Sequence, residues 1–138
     1  MGLLESIGQA CRTRFDTKVG TPQGLAVQYE NQEGFAPPQT GMWAKFSTHT
    51  GQIELVGLGN PKVYRVNGFA EAALFAPIES GSDALANLAD TTSAAFRSVG
   101  QGGVTFRSPH LGPMRRDERW WVLPVYCPFF ADEVLLDV

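Results

Sequence analysis

The stretch VYRVNGFAEAALFAP, residues 63–77, decides whether this chain is mainly helical or combines a sheet with helices. Its second half is rich in Ala, Glu and Leu, which favour helix by intrinsic propensity. Only eight residues separate Gly68 from Pro77, however, and this is too short for a stable helix without strong caps. We therefore predict a strand here, packed closely against another element because its side chains are small.

The segments upstream of this stretch predict further strands. Apolar residues alternate with more polar ones over residues 25–30, which is typical of a half-buried strand. Residues 42–48 and 53–58 predict two more strands, and HTGQ at residues 49–52 predicts a hairpin turn between them because its glycine can adopt a positive φ. GLGNPK at residues 57–62 lacks the third glycine of a dinucleotide-binding loop and precedes a strand, so it indicates a hairpin connection.

Apolar residues at helical spacing predict two helices, one over about residues 2–16 and one after Ser82. The first stripe comprises Leu3, Leu4, Ile7, Cys11 and Phe15. The second comprises Leu85, Leu88, Ala89, Thr92 and Phe96. We predict that Ser82 caps the start of the second helix and that Gly100 closes its end.

The last part of the chain predicts two strands, at residues 104–107 and 120–130, separated by a loop at 109–119. Pro124 and Pro128 occupy positions of the same parity, so both missing N–H groups face one lateral neighbour. The last strand is therefore expected at a sheet edge or beside a bulge. Together these elements predict a single α+β domain over residues 1–138, with a mostly antiparallel sheet of about five to six strands and two main helices packed on it.

Composition narrows the function classes. The chain has 138 residues and a formal net charge of −3, and its lysines are scattered, which argues against nucleic-acid binding. Only 18% of residues are charged, which suits either subunits that associate or an ordinary monomer with a neutral surface. Cys11 and Cys127 predict buried free thiols in a reducing compartment. No signal peptide or membrane span is apparent, so we expect a cytoplasmic protein.

The sequence contains no recognisable catalytic or metal-binding pattern. Its two histidines, His49 and His110, lie in turn-like segments without Cys, Asp or Glu at ligand spacing, and no GxSxG motif is present. Glu54 and Glu71 fall in predicted strands, where we expect them to face solvent. Neither enzymatic activity nor a metal or cofactor is expected.

Two segments are candidates for contact with other proteins. Phe35 lies in a connection rich in Gly and Pro just ahead of Trp43. MRRDERW, residues 114–120, places charges of both signs between two predicted strands. The charged segment is either a solvated loop or a patch whose ion pairs orient neighbouring subunits.

Short motifs follow one another in a characteristic order along nearly the whole chain. The first is ENxxxF with prolines before an aromatic strand, in VQYENQEGFAPPQTGMWAKF. The second is LG followed by YRxxG and a strand that ends in proline, in GLGNPKVYRVNGFAEAALFAP. The helix from Gly81 to Phe96 comes next, followed by VTFRSP and WWVLPVYCPF. Each motif is weak alone, and their order and spacing are the informative part. In this order the chain resembles the tail terminator (tail-completion) proteins of long-tailed bacteriophages.

The resemblance implies a structural subunit that forms a ring, usually a hexamer, on the finished end of the tail tube. The ring halts tube polymerisation and presents a joining surface to the head. The implied partners are other copies of the chain, the tail tube protein and the head-side connector or neck protein, with no nucleic-acid specificity and no membrane. The implied location is the head–tail junction of the virion, and the host cytoplasm during assembly.

In such a ring, Phe35 and the Pro37-Pro38 segment would cover a neighbouring subunit, with Trp43 as a buried aromatic anchor. The alternative is that Phe35 packs on its own sheet. The full candidate interface comprises Phe35, Pro37, Pro38, Trp43, His49, Arg115, Arg116, Asp117 and Arg119.

Three other functions remain open from the sequence. A neck or head-completion protein of similar size belongs to the same class. A monomeric ligand-binding α+β module, with a cleft lined by Trp120, Trp121 and Tyr126, belongs to another, and a small hydrolase to a third. The oligomeric state in solution, the contractility of the tail and the partner of each face stay undetermined at this level.

Overall fold

The structure, a computed structural model, describes residues 2–30, 32–59 and 61–135. The elements are α1 (Leu3–Phe15), a π-helical segment (Asp16–Gly20), α2 (Thr21–Gln23), β1 (Ala26–Tyr29), β2 (Trp43–Gly57), β3 (Lys62–Pro77), a 3-10 turn (Ile78–Ser80), α3 (Asp83–Phe96), β4 (Gly100–Gln101), β5 (Val104–Phe106), β6 (His110–Leu111), β7 (Arg115–Asp117) and β8 (Trp120–Leu135). The fold is α+β, as predicted.

The strands form one sheet in the order β1-β2-β3-β8-β5-β4, with β6 and β7 also paired to β8. Every pair is antiparallel except β1 with β2, which confirms a mostly antiparallel sheet. The described strands number eight, because the short pieces β4 to β7 add to the longer ones.

Residues 62–77 form strand β3, so the prediction for the deciding stretch is confirmed. β3 lies between β2 and β8 and pairs with β8 along its whole length, from Lys62 opposite Leu135 to Pro77 opposite Trp120. Its alanines at 70, 72 and 76 are buried on the face that the helices cover. Leu74 is buried on the same face, and the close approach of another element to this strand stays a prediction.

The helices pack against one face of the sheet, which we call the inner face; the opposite side is the outer face. Both predicted helical stripes contribute buried side chains to the core of the inner face, although Leu4 is exposed. Phe15 of α1 stacks on Phe46 of β2 with ring centroids 4.7 Å apart. Cys11 and Cys127 are buried and free in this core, as predicted, and burial raises the pKa of each thiol to about 12.

The first helical region extends beyond the predicted end at residue 16. The π-helical segment and α2 carry it to Gln23, and Gly24 then adopts a left-handed conformation with φ 61°. Val19 is buried four residues after Phe15, so the apolar stripe continues past the predicted boundary. No helix within the described ranges is long and apolar enough to cross a membrane.

The predicted hairpin turn at residues 49–52 is wrong. β2 runs through this segment as one strand, with a register shift between Thr50 and Ile53. Gly51 lies in this bulge, where β2 has one residue more than β3. Its φ is not positive, and glycine is tolerated where a strand is irregular. The chain reverses instead within GLGNPK, where the sequence also predicted a hairpin connection.

The ends of α3 differ from the prediction. Ser82 occupies the N-cap position, but its side chain makes no capping hydrogen bond. The helix ends at Phe96, and Ser98 takes a positive φ of 51°. Gly100 therefore does not close the helix but begins β4. Gly102 and Gly103 form the turn between β4 and β5, and both have a positive φ.

The prolines of β8 mark an irregular side, but the strand does not lie at an edge. The Pro124 and Pro128 carbonyls accept hydrogen bonds from the backbone of Gly112 and Arg107, so the proline nitrogens also face this side. Here the ladder is divided among β5, β6 and β7. The ladder on this side is irregular, as expected beside the two prolines, whereas the predicted edge position is wrong because short strands still cover this side.

Two boundaries near the C-terminus also need correction. The segment 109–119, predicted as a loop, contains β6 and β7, which pair with β8. Asp132 and Glu133, which follow the strand predicted at residues 120–130, lie within β8, opposite Arg65 and Tyr64 of β3. Pairing with the long β3 strand extends β8 beyond the segment that its own composition marks.

Candidate functional site: contact surfaces of the sheet

The outer face carries an aromatic cluster at the end of the sheet where β2 begins. Trp43 stacks on Phe75 with centroids 3.9 Å apart and an interplanar angle of 9°. The ring of Trp120 meets Trp43 edge-on at 5.8 Å. Trp43 is only 6% exposed, so it is an anchor within its own chain. We call this cluster, with Phe35 and Val122, the aromatic end.

Phe35 packs on this cluster from the connection between β1 and β2. Its ring lies 5.5 Å from that of Trp43, and the side chain is half buried. This contact corresponds to the alternative in which Phe35 packs on its own sheet, and contact of Phe35 with a neighbouring subunit stays a prediction. In the same connection Pro37 is exposed and Pro38 is half buried.

The charged segment reaches the same end of the molecule. The Arg119 guanidinium lies 5.0 Å from the Trp120 ring, and Arg115 of β7 pairs with Val122. Arg116 approaches Trp121 at 5.8 Å on the inner side. All three arginines and Asp117 are exposed. Two segments that are distant in sequence and were both predicted as contact candidates therefore border one aromatic cluster.

His49 lies away from these residues, near the middle of the outer face. Its ring stacks on Phe69 at 4.7 Å, and its Nε2 atom lies 3.0 Å from Ser47 Oγ and 3.9 Å from Glu71 Oε1. A catalytic triad would use one ring nitrogen for the hydroxyl and the other for the carboxylate. Because both groups approach the same nitrogen, this arrangement does not orient the imidazole as a general base.

A groove of about 310 Å³ lies beside Phe69 on the outer face, lined also by Gly68, His110, Tyr126 and Pro128. His110 stacks on Tyr126 with centroids 5.3 Å apart. Trp120 and Tyr126 face this outer side, but Trp121 packs against the inner core. The three residues of the alternative ligand-binding cleft therefore do not share one face.

An apolar surface that was not predicted from the sequence lies at the far end of the β2–β3 hairpin. Its exposed side chains are Leu4 of α1 with Ile53, Leu55, Val56 and Leu58 of the hairpin; we call this set the hairpin end. Leu58 is 85% exposed and Ile53 is 62% exposed. The run IELVGL carried a signal for this surface, since apolar residues occur there at both parities of a strand.

The hairpin end borders a groove of about 470 Å³ between the start of α1 and the strands. Leu3, Ile53 and Tyr64 contribute apolar lining, and Glu5 and Glu133 contribute carboxylates. The groove is therefore apolar with acidic groups at its border. An apolar patch on a soluble subunit is typical of a protein–protein contact.

An ion pair fixes the outer side of this region. Arg65 makes two hydrogen bonds to the Asp132 carboxylate, of 2.8 and 3.0 Å. These bonds lower the pKa of Asp132 and raise that of Arg65. The guanidinium groups of Arg65 and Arg107 both lie over the Phe130 ring, at 4.2 and 4.6 Å. The pair links β3 and β8 next to the hairpin end.

The described residues offer little material for cofactor chemistry. Within residues 2–30, 32–59 and 61–135, no group of three or more His, Cys, Asp or Glu side chains is placed to hold a metal ion. The features that remain are apolar and charged surfaces, which act in recognition between macromolecules.

Known proteins place this fold in a family. A family model described as phage tail terminator protein matches residues 6–129. One solved structure aligns with 99% of this chain over 99% of its own length, with a TM-score of 0.64 and 19% sequence identity, and at this identity the likeness concerns the fold alone. No curated protein matches the chain. From α1 through most of β8, the chain belongs to the phage tail terminator protein family and is thus a structural component of a phage tail.

Proposed function

We propose that this chain forms a hexameric ring on the finished end of the tail tube, stops tube polymerisation and provides the surface to which the head connector joins. The observation that carries the proposal is the family match over residues 6–129, which includes almost every element of the fold. The proposed location is the head–tail junction of the virion, reached after assembly in the host cytoplasm.

The proposed mechanism is geometric. One face of the ring matches the last ring of the tube, and the opposite face does not match a further tube ring, so growth stops. Contact surfaces suffice for this task, and we assign the chain no catalytic role. The geometry of Ser47, His49 and Glu71 supports this assignment because it lacks the orientation of a triad.

Tail assembly without this protein tests the proposal. We expect phage that lack the gene to make tails of irregular, extended length that do not join heads, and we expect the protein supplied in trans to restore both properties. Electron microscopy measures tail length and head attachment. Tails of uniform length that join heads normally without the protein would contradict the proposal, and tails of normal length that fail only to join heads would identify a neck protein instead.

The copy number can be measured on the same material. A ring of six copies of the 15.0 kDa chain has a mass of about 90 kDa, which native mass spectrometry of gently dissociated tails would detect. A different closed ring would correct the number of subunits, and a single copy per tail would contradict the ring.

The charged segment near the aromatic end has its own test. We expect the double variant Arg115→Glu/Arg116→Glu to fold normally but to reduce complementation of the deficient phage, because both side chains are exposed. Lys18→Glu/Arg97→Glu makes the same change of charge at exposed positions outside this segment. Equal complementation by the two variants would indicate that residues 115–119 form a solvated turn without a role in contacts.

A further inference from the structure

The exposed apolar side chains of this subunit are not scattered. Among the residues whose side chains the structure describes, the large exposed ones are Leu4, Ile53, Leu55, Val56, Leu58, Phe69, Leu111 and Met114. Five belong to the hairpin end, Phe69 lies beside His49 on the outer face, and Leu111 and Met114 belong to one other segment. We call that segment, residues 107–119 with β6 and β7, the edge segment.

The two surfaces lie at opposite sides of the sheet. β1 borders β2 only along Trp43–Phe46, so in the described structure the rest of β2, including the hairpin end, forms one margin. The edge segment pairs with β8 on the side that faces away from β3. A contact between opposite margins of identical subunits is head-to-tail, and repeating it generates a ring when the rotation closes.

The charges of the two surfaces are complementary. Among the described residues at the hairpin end, Arg65 and Asp132 neutralise each other, and Glu5, Glu54, Glu133 and Lys62 carry a net charge of −2. In the edge segment, Arg107 lies over the Phe130 ring beside Arg65, and Arg115, Arg116 and Arg119 against Asp117 and Glu118 leave a net charge of +1. Two hairpin ends facing each other would instead bring like charges together, which opposes association.

We propose that the hairpin end of one copy docks on the edge segment of the next copy, with Leu58 and its apolar neighbours against Leu111 and Met114. The arginines of the edge segment then face the carboxylates that border the hairpin groove. This contact rests on the proposed ring and specifies which surfaces build it. It also gives the charged residues at 115–119 a partner within the same ring.

Disulfide crosslinking of tails that contain engineered cysteines tests this contact. The double variant Leu58→Cys/Met114→Cys would be supplied to phage that lack the gene, and purified tails would be oxidised with diamide. Both positions are exposed, whereas the native Cys11 and Cys127 are buried with a raised pKa and stay unreactive. We expect a ladder on non-reducing gels at multiples of the chain mass, and its loss after reduction.

Mixtures of variants define the direction of the contact. Tails assembled from Leu58→Cys and Met114→Cys copies together should give crosslinked dimers but no ladder, because each copy carries one engineered cysteine. Leu58→Cys alone should give only monomers. The control Leu58→Cys/Ala94→Cys, with the second cysteine at an exposed position of α3, should also stay monomeric.

The outcomes separate this inference from the proposed function. Normal tails with a ring but without the Leu58–Met114 ladder would overturn the contact and leave the ring intact. Dimers from Leu58→Cys alone would overturn it in favour of a symmetric contact between hairpin ends. Tails that form normally with no copy of the protein would overturn the proposed function itself.

Discussion

The two ends of the β2–β3 hairpin differ in how their side chains are covered. At the aromatic end, Trp43 and Phe75 are buried on the outer face, while the helices cover the inner face. At the hairpin end, Ile53 of β2 and Leu58 just after it are exposed although they belong to the same hairpin. One hairpin therefore contains a part that stabilises the fold and a part that leaves apolar surface for other contacts.

The composition of a strand therefore does not predict which of its apolar residues belong to the core. The aromatic end becomes buried because Trp120 and Phe35 return to it from distant parts of the chain. The hairpin end projects beyond the short β1 strand, which borders β2 only at its beginning. We expect substitutions at the two ends to separate folding from assembly.

The largest expected effect is at Trp43. Trp43→Ala removes the stack on Phe75 and the contacts with Trp120 and Phe35, and we expect the free energy of unfolding to fall by about 3–5 kcal/mol. Leu58→Ala, at the exposed tip, should change it by less than about 0.5 kcal/mol. Urea unfolding followed by tryptophan fluorescence and circular dichroism measures both. Similar losses in the two variants would remove the distinction between the ends.

A smaller effect is expected at Gly68, where the two parts of the hairpin meet beside the β2 bulge. A Cβ atom there would clash with the His49 carbonyl oxygen and would lie 2.8 Å from a Phe129 ring carbon. We expect Gly68→Ala to cost about 1–3 kcal/mol in urea unfolding because backbone has to move. Gly100→Ala in β4 is the control, since its Cβ would meet nothing closer than 3.7 Å. Equal stability of both variants would mean that β2 and β3 can move apart at this point without a loss in the free energy of unfolding.

The smallest expected effect concerns the ion pair near the hairpin end. Because Arg65 lowers the pKa of Asp132 in the folded state, the pair stabilises the protein fully above the ordinary carboxyl pKa. This contribution is lost as the pH falls through the lowered pKa, and exposure to solvent keeps it small. The stability difference between wild type and Asp132→Asn should therefore shrink towards acid in urea titrations. Asp90→Asn is the control on α3, and the same pH trend there would contradict the role of the pair.

Much of the fold could be predicted from local patterns. The stripes of α1 and α3 follow from helical spacing, and the strand at residues 63–77 follows from the short distance between Gly68 and Pro77. The errors occurred where long-range pairing overrides local preference. HTGQ has the composition of a turn, but β3 pairs with β2 on both sides of it and keeps the chain extended.

The contact surfaces were predictable only in part. The sequence named residues 115–119 and Phe35 as contact candidates, and the structure places the first on the surface and the second beside Trp43 of its own chain. The role of these residues in contacts between subunits stays a prediction. The hairpin end was not recognised, because IELVGL matches a buried strand as well as an exposed one and only the neighbouring elements distinguish the two.

The α+β class, the two helices, the strand at residues 63–77 and the resemblance to tail terminators could all be predicted from the sequence, because they depend on local spacing and motif order. The interior position of β8, the burial of Trp43 in its own chain and the exposure of the far end of the hairpin became visible only in the tertiary structure. These properties depend on which distant segments pack together. The solvent exposure of a side chain depends on the whole folded chain and cannot be predicted from its own segment alone.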